Sequence, residues 1–409
     1  MARVFENDRC IVRLLFLKFF IMRNYSILIV GLNCYFGHIR EFAINLKKAN
    51  PFVRITVFTS PLPTEVYNEL NDFVDKIIMP KRYEDTVGLR LFARMLKAFD
   101  YLWGALGLCL KNSFDIVDIH YPTRMSFLAF PFLKRTTKNV VITPWGSDVL
   151  RVETPLDIKL LTKMYSHAKY VTIGKDSQMG RVAIEKFKAN PDKMVKLGWG
   201  GEFFDYIQEN SNLLTTDEAK TRFGLGDRYV ITCGYNTQKE QKHEAIINAI
   251  CEVKDQLPKN LTLLFPFTYG RSEMSDKYTD SIKKKCELMG IDYVAVEEHL
   301  DMSDLLKLRM ATDIFIHVQN TDAGSRCVME YVCCNKKLVH GAWIKYAYLE
   351  DYAPSCYFPV SKMEELGNVI VKAYQSPITD LPEQVKNTIM ERGWKKRMVR
   401  WNQFFESIV

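Results

Sequence analysis

Two acidic residues, Asp322 and Glu330, lie eight positions apart in a segment whose pattern predicts a polar turn, a short helix and then a strand. Ser325 suits the amino-terminal cap of such a helix, and Asn335 suits the left-handed residue that ends it. Glu330 is the only charged residue in the apolar part of that helix. A lone carboxylate among buried residues needs a partner that compensates its charge.

The sequence offers two explanations for Glu330. Arg326, one turn earlier, can pair with it along the helix surface. Alternatively, Glu330 accepts hydrogen bonds from ribose hydroxyls, while Arg326 and the amino end of the helix meet a phosphate. The first explanation is structural, and the second is the chemistry of a nucleotide site.

The second half of the chain contains further polar and glycine residues directly after apolar runs that are predicted to be strands. A bound diphosphate needs cations and backbone N–H groups. Lys242, Arg271 and Arg326 are the predicted cations, whereas Lys239 is better explained as a solvated surface charge. The predicted nucleotide-binding set is Gly234, Asn236, Lys242, Tyr269, Arg271, Gly324, Ser325, Arg326 and Glu330.

The first half of the chain has weaker candidates after its own apolar runs. His120 ends one run and could hydrogen-bond a sugar or orient an acceptor, although a lone histidine at a strand end is often structural. Gly37 and His38 follow the first run, and Trp145 and Asp148 follow the fifth. Turns of this kind also have purely conformational explanations. These residues are the weaker candidates for the site of a second substrate.

Short apolar runs alternate with amphipathic stretches along the chain, which is typical of parallel sheets covered by helices. The first half predicts strands at Ile27–Val30, Ile55–Thr59, Lys76–Met79, Ile116–His120, Val140–Pro144, Tyr170–Ile173 and Met194–Leu197. The second half predicts strands at Tyr229–Cys233, Leu261–Pro266, Tyr293–Val296, Ile314–Val318, Lys337–His340 and Tyr357–Val360. We therefore predict an α/β fold with two doubly wound, Rossmann-like domains. Ligands bind beyond the carboxyl ends of such strands, so both sets of candidates should face one interdomain cleft.

The predicted parts are an N-terminal extension at 1–22, an acceptor-side domain at 23–200, a linker at 201–226, a donor-binding domain at 227–385 and a C-terminal helix at 386–409. A chain of 409 residues exceeds the size of one growing core, so two domains are expected. The apolar and basic stretch before residue 23 is shorter than the ~20 residues that span a bilayer. The preferred interpretation is an upstream extension or misassigned start, with an interfacial anchor as the alternative.

The composition is that of an ordinary globular protein. Apolar residues make up 47% and charged residues 25% of the chain, which excludes disordered and fibrous classes. The 10 cysteines have irregular spacing without a Cys-x-x-Cys motif, which argues against a zinc site or a disulfide framework and favours the cytoplasm. Neither an Asp-x-Asp motif nor a His/Glu cluster with metal-ligand spacing occurs, so no metal or other cofactor is expected.

The net charge of +8 is spread along the chain, but basic and aromatic residues occur together in two segments. These are Lys81–Leu110 and the terminal helix from Trp394 to Trp401. Either segment can contact anionic lipid headgroups, or it can be an apolar stripe that faces the core with a solvated basic back. Nucleic acid is a poorer partner, because no nucleic-acid-binding motif accompanies the charge.

The acidic segment resembles a known family. Retaining GT-B glycosyltransferases of family 4 carry two acidic residues eight apart, followed by small residues, a glycine and an apolar strand. Asp322 and Glu330 have this spacing, with aspartate as the first acid and Asn335 at the glycine position. The resemblance implies that Glu330 holds the ribose of a donor nucleotide. It also implies that Asp322 contacts the donor sugar near the reacting carbon.

The resemblance extends over nearly all of the chain after residue 23. The strand that ends in His120 and the stretch Trp145–Asp148 are similar to active-site segments of the same family. The stretch Gly234–Glu244, with Phe265–Gly270, is similar to a narrower group, the enterobacterial common antigen 4-acetamido-4,6-dideoxygalactose transferases of family 56. Members of that group use a dTDP-sugar and a polyprenyl-diphosphate-linked acceptor. The acidic segment differs from that group.

The resulting hypothesis is a metal-independent glycosyltransferase that moves a sugar from a nucleotide-diphosphate donor to a lipid-linked or glycan acceptor. It would act in bacterial surface polysaccharide synthesis, peripherally at the inner face of the plasma membrane. One alternative is a GT-B nucleotide-sugar epimerase, which works without an acceptor. Another is a catalytically silent GT-B subunit that binds a glycan. Hydrolase and P-loop functions are excluded, because neither Gly-x-Ser-x-Gly nor a Walker A motif is present.

Overall fold

The structure is a computed structural model of the chain. It describes residues 23–32, 36–80, 90–210, 214–268, 270, 273–322, 324–346, 349, 356–377 and 383–409. The predicted extension at 1–22 lies outside the described residues. The chain forms two compact units. The first unit comprises the residues up to Gly200 together with Trp394–Val409, and the second unit comprises Gly201–Gly393.

Within the described residues, the first unit is built on a parallel sheet of six strands. They are β1 (Ser26–Gly31), β2 (Arg54–Thr59), β3 (Lys76–Ile78), β4 (Ile116–His120), β5 (Val140–Thr143) and β6 (Tyr170–Val171). Their order in the sheet is β3-β2-β1-β4-β5-β6. The direction in which strands are added therefore reverses between β1 and β4. Both of these strands are buried along their whole length, as expected for central strands covered on two faces.

Hydrophobic clusters cover both faces of the first sheet. Leu28 and Val30 belong to one cluster, whereas Ile27 and Ile29 belong to another. Since successive residues of a strand point to opposite faces, the two clusters lie on opposite sides of the sheet. The helices before Gly200 that supply them are α1 (Phe36–Ala49), α2 (Thr64–Asn71), α3 (Arg90–Lys111), α4 (Arg124–Leu133), α5 (Ser147–Leu150), α6 (Pro155–His167) and α7 (Gln178–Phe187).

The second unit repeats this plan, with a parallel sheet of six strands among its described residues. They are β7 (Tyr229–Cys233), β8 (Leu261–Pro266), β9 (Tyr293–Val296), β10 (Ile314–His317), β11 (Lys337–Gly341) and β12 (Tyr357–Val360). Their order is β12-β11-β10-β7-β8-β9, so the direction reverses between β7 and β10. Its helices are α8 (Glu202–Asn210), α9 (Thr216–Arg222), α10 (His243–Glu252), α11 (Glu273–Leu288), α12 (Met302–Ala311), α13 (Arg326–Cys333), α14 (Leu366–Gln375) and α15 (Glu383–Met390). The predicted α/β fold with two doubly wound, Rossmann-like units is confirmed.

One predicted strand of the first unit is wrong. Met194–Leu197 makes only a single bridge to the sheet, between Met194 and Val171. The backbone turns immediately afterwards, because the amide of Leu197 donates to the carbonyl of Val195 at 3.1 Å. The apolar residues of this segment therefore mark a partly buried turn instead of a strand.

The predicted linker at 201–226 contains the helices α8 and α9. Phe203 and Phe204 of α8 are buried in a cluster of the second unit, together with Tyr331. This segment is therefore part of the second unit, because its apolar residues complete a core.

The predicted single helix at 386–409 is divided between the units. The helix α15 ends at Met390, and α16 (Trp394–Ile408) belongs to the first unit. Trp394 and Trp401 of α16 are buried, and the indole N–H of Trp394 donates to Glu41 at 3.1 Å. Of the two interpretations of this segment, the core-facing stripe therefore applies to its tryptophans. In the parts of the chain that are described, no helix is both long and apolar enough to cross a bilayer.

Candidate functional site

The carboxyl edge of the second sheet brings together polar residues that follow three strands. Gly234 and Tyr235 follow β7, Gln319 follows β10 and Trp343 follows β11. Gln241 joins the first two loops, because its amide donates to Gln319 Oε1 at 3.0 Å and its own Oε1 accepts from the Tyr235 amide at 3.3 Å. Doubly wound sheets bind ligands at the point where the strand order reverses, and here that point lies between β7 and β10.

Asp322 is anchored at this point. Its Oδ2 accepts hydrogen bonds from the Tyr235 hydroxyl at 3.3 Å and from the Gln319 side-chain amide. The same oxygen lies 3.3 Å from Nε2 of His317, the last residue of β10. The Asp322 side chain remains 14% exposed. The carboxylate is therefore oriented by two strand ends while part of it reaches the surface.

The helix α13 has the predicted ends. The Ser325 hydroxyl accepts from the amide of Val328 at 3.4 Å, which caps the amino end. Asn335 follows the helix in the left-handed conformation, with φ of 55°. Gly324, just before the cap, has a φ of 120°, which strongly favours glycine. The amino end of α13 therefore stands on a turn that the sequence specifies.

Glu330 is 3% exposed and is held mainly by Arg309, a residue of α12 that the sequence reasoning missed. Arg309 donates to Oε2 of Glu330 from Nη2 at 2.8 Å and from Nε at 3.1 Å, and its Nη1 donates to the Tyr331 hydroxyl at 3.0 Å. Arg326 lies farther away, with its Nε 3.4 Å from Oε1. One oxygen is therefore taken by Arg309, and the other faces the partly exposed Arg326.

The sequence did contain a signal for Arg309. It is a single cation between Leu308 and Ala311, both buried, and thus mirrors the lone charge of Glu330. His317 and His340 carry a similar signal, since each ends an apolar run just as His120 does. Their rings stack in the structure with centroids 5.2 Å apart.

Lys242 is the other cation at this edge. It occupies the amino-terminal cap position of α10 with φ of 57°, and its Nζ lies 5.1 Å from the centre of the Trp343 ring. Burial lowers its pKa. Among the described residues, no carboxylate lies within 4.0 Å of its ammonium group. A cation without a carboxylate partner is available to an anionic ligand.

The other predicted donor residues have local roles. Gly234 has φ of 64°, and a Cβ there would lie 2.8 Å from Gln241 Cβ, so a side chain does not fit. Asn236 is buried, and its Oδ1 accepts from the amide of Gln238 at 2.9 Å, which shapes its own loop. Tyr269 and Arg271 lie outside the described residues.

In the first unit, His120 is fully buried in a hydrogen-bonded network at the end of β4. Its Nε2 lies 3.0 Å from Asp118 Oδ2, and the indole N–H of Trp145 lies 3.4 Å from its Nδ1. Because an indole can only donate, Nδ1 accepts and Nε2 carries the proton. The other oxygen of Asp118 accepts from the Thr143 hydroxyl at 2.6 Å. Both ring nitrogens are thus used inside the unit, and the catalytic role of His120 stays a prediction.

Gly37 and His38 lie in the first turn of α1 instead of in a glycine-rich loop. The His38 ring meets the edges of two indoles, with its centroid 4.9 Å from that of Trp145 and 5.8 Å from that of Trp199. Trp145 therefore contacts both His38 and His120.

Asp148 is buried in the turn after β5. Its Oδ1 accepts from the amides of Trp145 at 3.0 Å and Gly146 at 2.7 Å. Its Oδ2 has no hydrogen-bond partner among the described residues. Burial raises the pKa of Asp148 to about 6.

A pocket of about 420 Å³ in the first unit lies next to Asp148. Its wall combines apolar residues with hydroxyl and charged groups, including Tyr121, Arg124, Met125, Ser147 and Leu161. Within the described part of the chain, no group of three or more His, Cys, Asp or Glu side chains is placed to hold a metal ion.

Comparison with solved structures identifies the fold. The chain is similar to a glycosyltransferase from Rickettsia africae, with a TM-score of 0.71 and 15% identity over 94% of this chain and 99% of that one. It is also similar to sucrose-phosphate synthase from Thermosynechococcus elongatus, with a TM-score of 0.68 and 10% identity over 94% and 99% of the two chains. Anabaena HepE, solved in complex with UDP and glucose, has a TM-score of 0.62 and 14% identity over 94% and 98%.

The chain therefore has the GT-B fold of two Rossmann-like units. No protein-family model and no curated protein sequence matches it.

Proposed function

We propose that this chain is a glycosyltransferase that moves a sugar from a nucleoside-diphosphate donor to an acceptor. The observation that carries the proposal is Asp322 at the point where the order of the second sheet reverses, with Lys242 at the same edge and Glu330 on the helix α13 that follows β10. In this proposal the second unit binds the donor. The GT-B fold shared with HepE, whose solved complex contains UDP and glucose, supports a uridine nucleotide as the first donor to test.

Each part of the donor has a matching group. The diphosphate lies against Lys242, Arg326 and the backbone N–H groups at the capped amino end of α13. The ribose hydroxyls donate to Oε1 of Glu330, because Arg309 already occupies Oε2. Asp322 lies beside the transferred sugar and is oriented by its hydrogen bond from Tyr235.

The cations contribute to catalysis by stabilising the charge that develops on the leaving diphosphate. The acceptor hydroxyl must lie in line with the anomeric carbon, and the rigid indole of Trp145 and the pocket beside Asp148 are the proposed acceptor side. The resemblance to family 4 supports retention of configuration and a lipid-linked or glycan acceptor of bacterial surface polysaccharide synthesis.

The first test of the donor site is the substitution Lys242→Gln. We expect it to weaken the binding of UDP or dTDP by about 10- to 100-fold, because a charge-assisted contact worth roughly 1.5 to 3 kcal/mol is lost. Isothermal titration calorimetry measures this directly. Lys239→Gln is the matched control, since Lys239 is exposed three residues away and should leave the affinity within about 2-fold of the parent value.

Equal affinities of both variants for the nucleotides would contradict the donor site. Product analysis with a nucleotide sugar then separates the rival functions. A transferase requires an acceptor for sugar transfer, an epimerase converts the donor without one, and a silent subunit only binds.

A further inference from the structure

The helix α3 exposes an apolar stripe along its length. The stripe consists of Phe92, Met95, Phe99, Trp103 and Leu110, which are 57%, 62%, 60%, 66% and 75% exposed. Their spacing of three, four, four and seven residues places them on one helix face. Phe99 and Trp103 stack on each other with centroids 6.2 Å apart. A helix on a protein surface normally presents polar residues to water, so an apolar face of this length indicates a binding surface.

The opposite face of α3 fixes this orientation. Tyr101, Ala105 and Leu108 are buried against the first sheet, and the Tyr101 hydroxyl lies 2.8 Å from Ser60 Oγ. Gly104 allows a close approach, since a Cβ there would lie 3.1 Å from the Phe58 ring. The stripe therefore cannot turn inward without breaking the core of the first unit.

A basic cluster lies at the carboxyl end of the stripe. It consists of the exposed residues Lys111, Lys134, Arg135 and Lys138. The segments that follow α3 and α4 meet there, because the amide of Phe114 donates to the carbonyl of Thr136 at 2.8 Å. Apolar side chains next to a group of cations match the acyl region and the anionic headgroups of one lipid monolayer. Tryptophan is also favoured at the boundary between these two regions.

We propose that α3 lies flat in an anionic lipid monolayer, with the apolar stripe among the acyl chains and the basic cluster on the headgroups. From Phe92 to Leu110 the helix is about 27 Å long at 1.5 Å per residue, which suits an interfacial helix. The terminal helix α16 does not supply this contact through its tryptophans, since both are buried. The proposal goes beyond the donor chemistry and does not depend on it.

Flotation of the full chain with vesicles tests the proposal. We expect binding to phosphatidylcholine vesicles that contain phosphatidylglycerol, with weaker binding at high salt because the headgroup attraction is screened. Phe99→Ser with Trp103→Ser should lower the partition coefficient by at least about 10-fold, because two large apolar side chains are lost from the contact. The melting temperature and the UDP affinity should not change, since both residues are exposed.

Met274→Ser with Leu288→Ser is the matched control, because these residues of α11 are 76% and 86% exposed in the second unit. This control should bind vesicles as the parent chain does. Lipids brominated in the acyl chains should quench the emission of the parent chain, and Trp103→Phe should remove most of that quenching while retaining binding.

Equal binding to neutral and anionic vesicles would overturn the proposal, and so would unchanged binding of the Phe99/Trp103 variant. The parent chain could instead fail to bind vesicles and sediment as a dimer, while the Phe99/Trp103 variant sediments as a monomer. This result would overturn the proposal and identify the stripe as a contact between two copies. Because the vesicle assays contain no nucleotide, their failure leaves the donor site untouched.

Discussion

The first unit carries a carboxylate–histidine network at the carboxyl edge of its sheet, whereas the second unit carries a carboxylate–guanidinium network between the helices α12 and α13. In the first, Asp118 and His120 are both fully buried and satisfy each other and Trp145. In the second, the buried pair of Arg309 and Glu330 extends outward to the partly exposed Arg326. The first network ends inside the protein, and the second leads to its surface.

The difference bears on how the two units would divide the proposed transfer reaction. The anionic donor of the proposed function needs fixed cations that reach it, and Lys242 and Arg326 of the second unit are the cations proposed for this role. On the proposed acceptor side, the first unit provides the indole of Trp145, which contacts both His38 and His120. The comparison predicts how each network responds when one member is removed.

The largest effect is expected from Arg309→Met. It leaves the Glu330 carboxylate buried with its closest partner gone, and breaking a buried pair in this way typically costs about 3 to 5 kcal/mol. Urea unfolding followed by circular dichroism measures the loss. Arg309→Met with Glu330→Leu should recover much of it, because no unpaired buried charge remains.

The matched control is Arg124→Met in the first unit. Arg124 pairs with Asp157 at the surface, where its side chain is 54% exposed, so its loss should leave the free energy of unfolding unchanged within error. Similar losses in the two variants would contradict the distinction between buried and surface pairs.

A smaller effect is expected from His120→Phe. The ring volume is kept, but the buried Asp118 Oδ2 and the Trp145 indole N–H lose their partner, at a cost of about 2 to 3 kcal/mol. Tryptophan emission during denaturant unfolding measures this loss in the first unit. In His120→Gln the side-chain amide can donate to Asp118 and accept from the Trp145 indole, so the stability of this variant should be closer to that of the parent chain.

His167→Phe is the control for this substitution, because His167 is an exposed histidine of the same unit. If His120→Phe unfolds as the parent chain does, the ring is not a positioning residue. A direct catalytic role for His120 then becomes the better explanation of any loss of activity.

The sequence predicted the twelve strands of the two sheets because their apolar runs are short and separated by amphipathic helices. It did not predict that Met194–Leu197 leaves the sheet, since a short apolar run fits a partly buried turn as well as a strand. It also treated 201–226 as a linker, because the polar residues around position 210 resemble a boundary. Whether the Phe203 side chain is buried depends on the tertiary fold, which local pattern does not reveal.

The candidate site was predicted in part. Glu330 was recognised as a buried charge, but its partner Arg309 comes from another helix, 21 residues earlier, and spacing within one helix cannot reveal it. The helices α3 and α16 both combine basic and aromatic residues, yet Trp103 of α3 is exposed and Trp401 of α16 is buried. Only the packing of the whole unit decides which face of each helix is covered.

The smallest effect concerns pH, and it has opposite signs in the two units. Burial and the neighbouring His317 lower the pKa of His340 to about 3, below the ordinary value of 6.5. Neutral His340 therefore contributes stability above pH 6.5 that is lost as the pH falls. Burial raises the pKa of Asp148 from 3.8 to about 6, so its contribution is complete below pH 3.8 and is lost as the pH rises through 6.

When the pH falls from 7 to 5, His340 should lower the free energy of unfolding of the second unit by about 2 kcal/mol. Over the same range, Asp148 should raise the free energy of unfolding of the first unit by about 1 kcal/mol. Calorimetry at a series of pH values measures the two transitions, and tryptophan emission assigns one of them, because most of the 6 tryptophans belong to the first unit. His340→Phe should reduce the pH dependence of the unfolding free energy of the second unit. Asp148→Asn should reduce the pH dependence of the unfolding free energy of the first unit. If the two substitutions change the slopes in the same direction, the opposite treatment of buried titratable groups at the two edges is wrong.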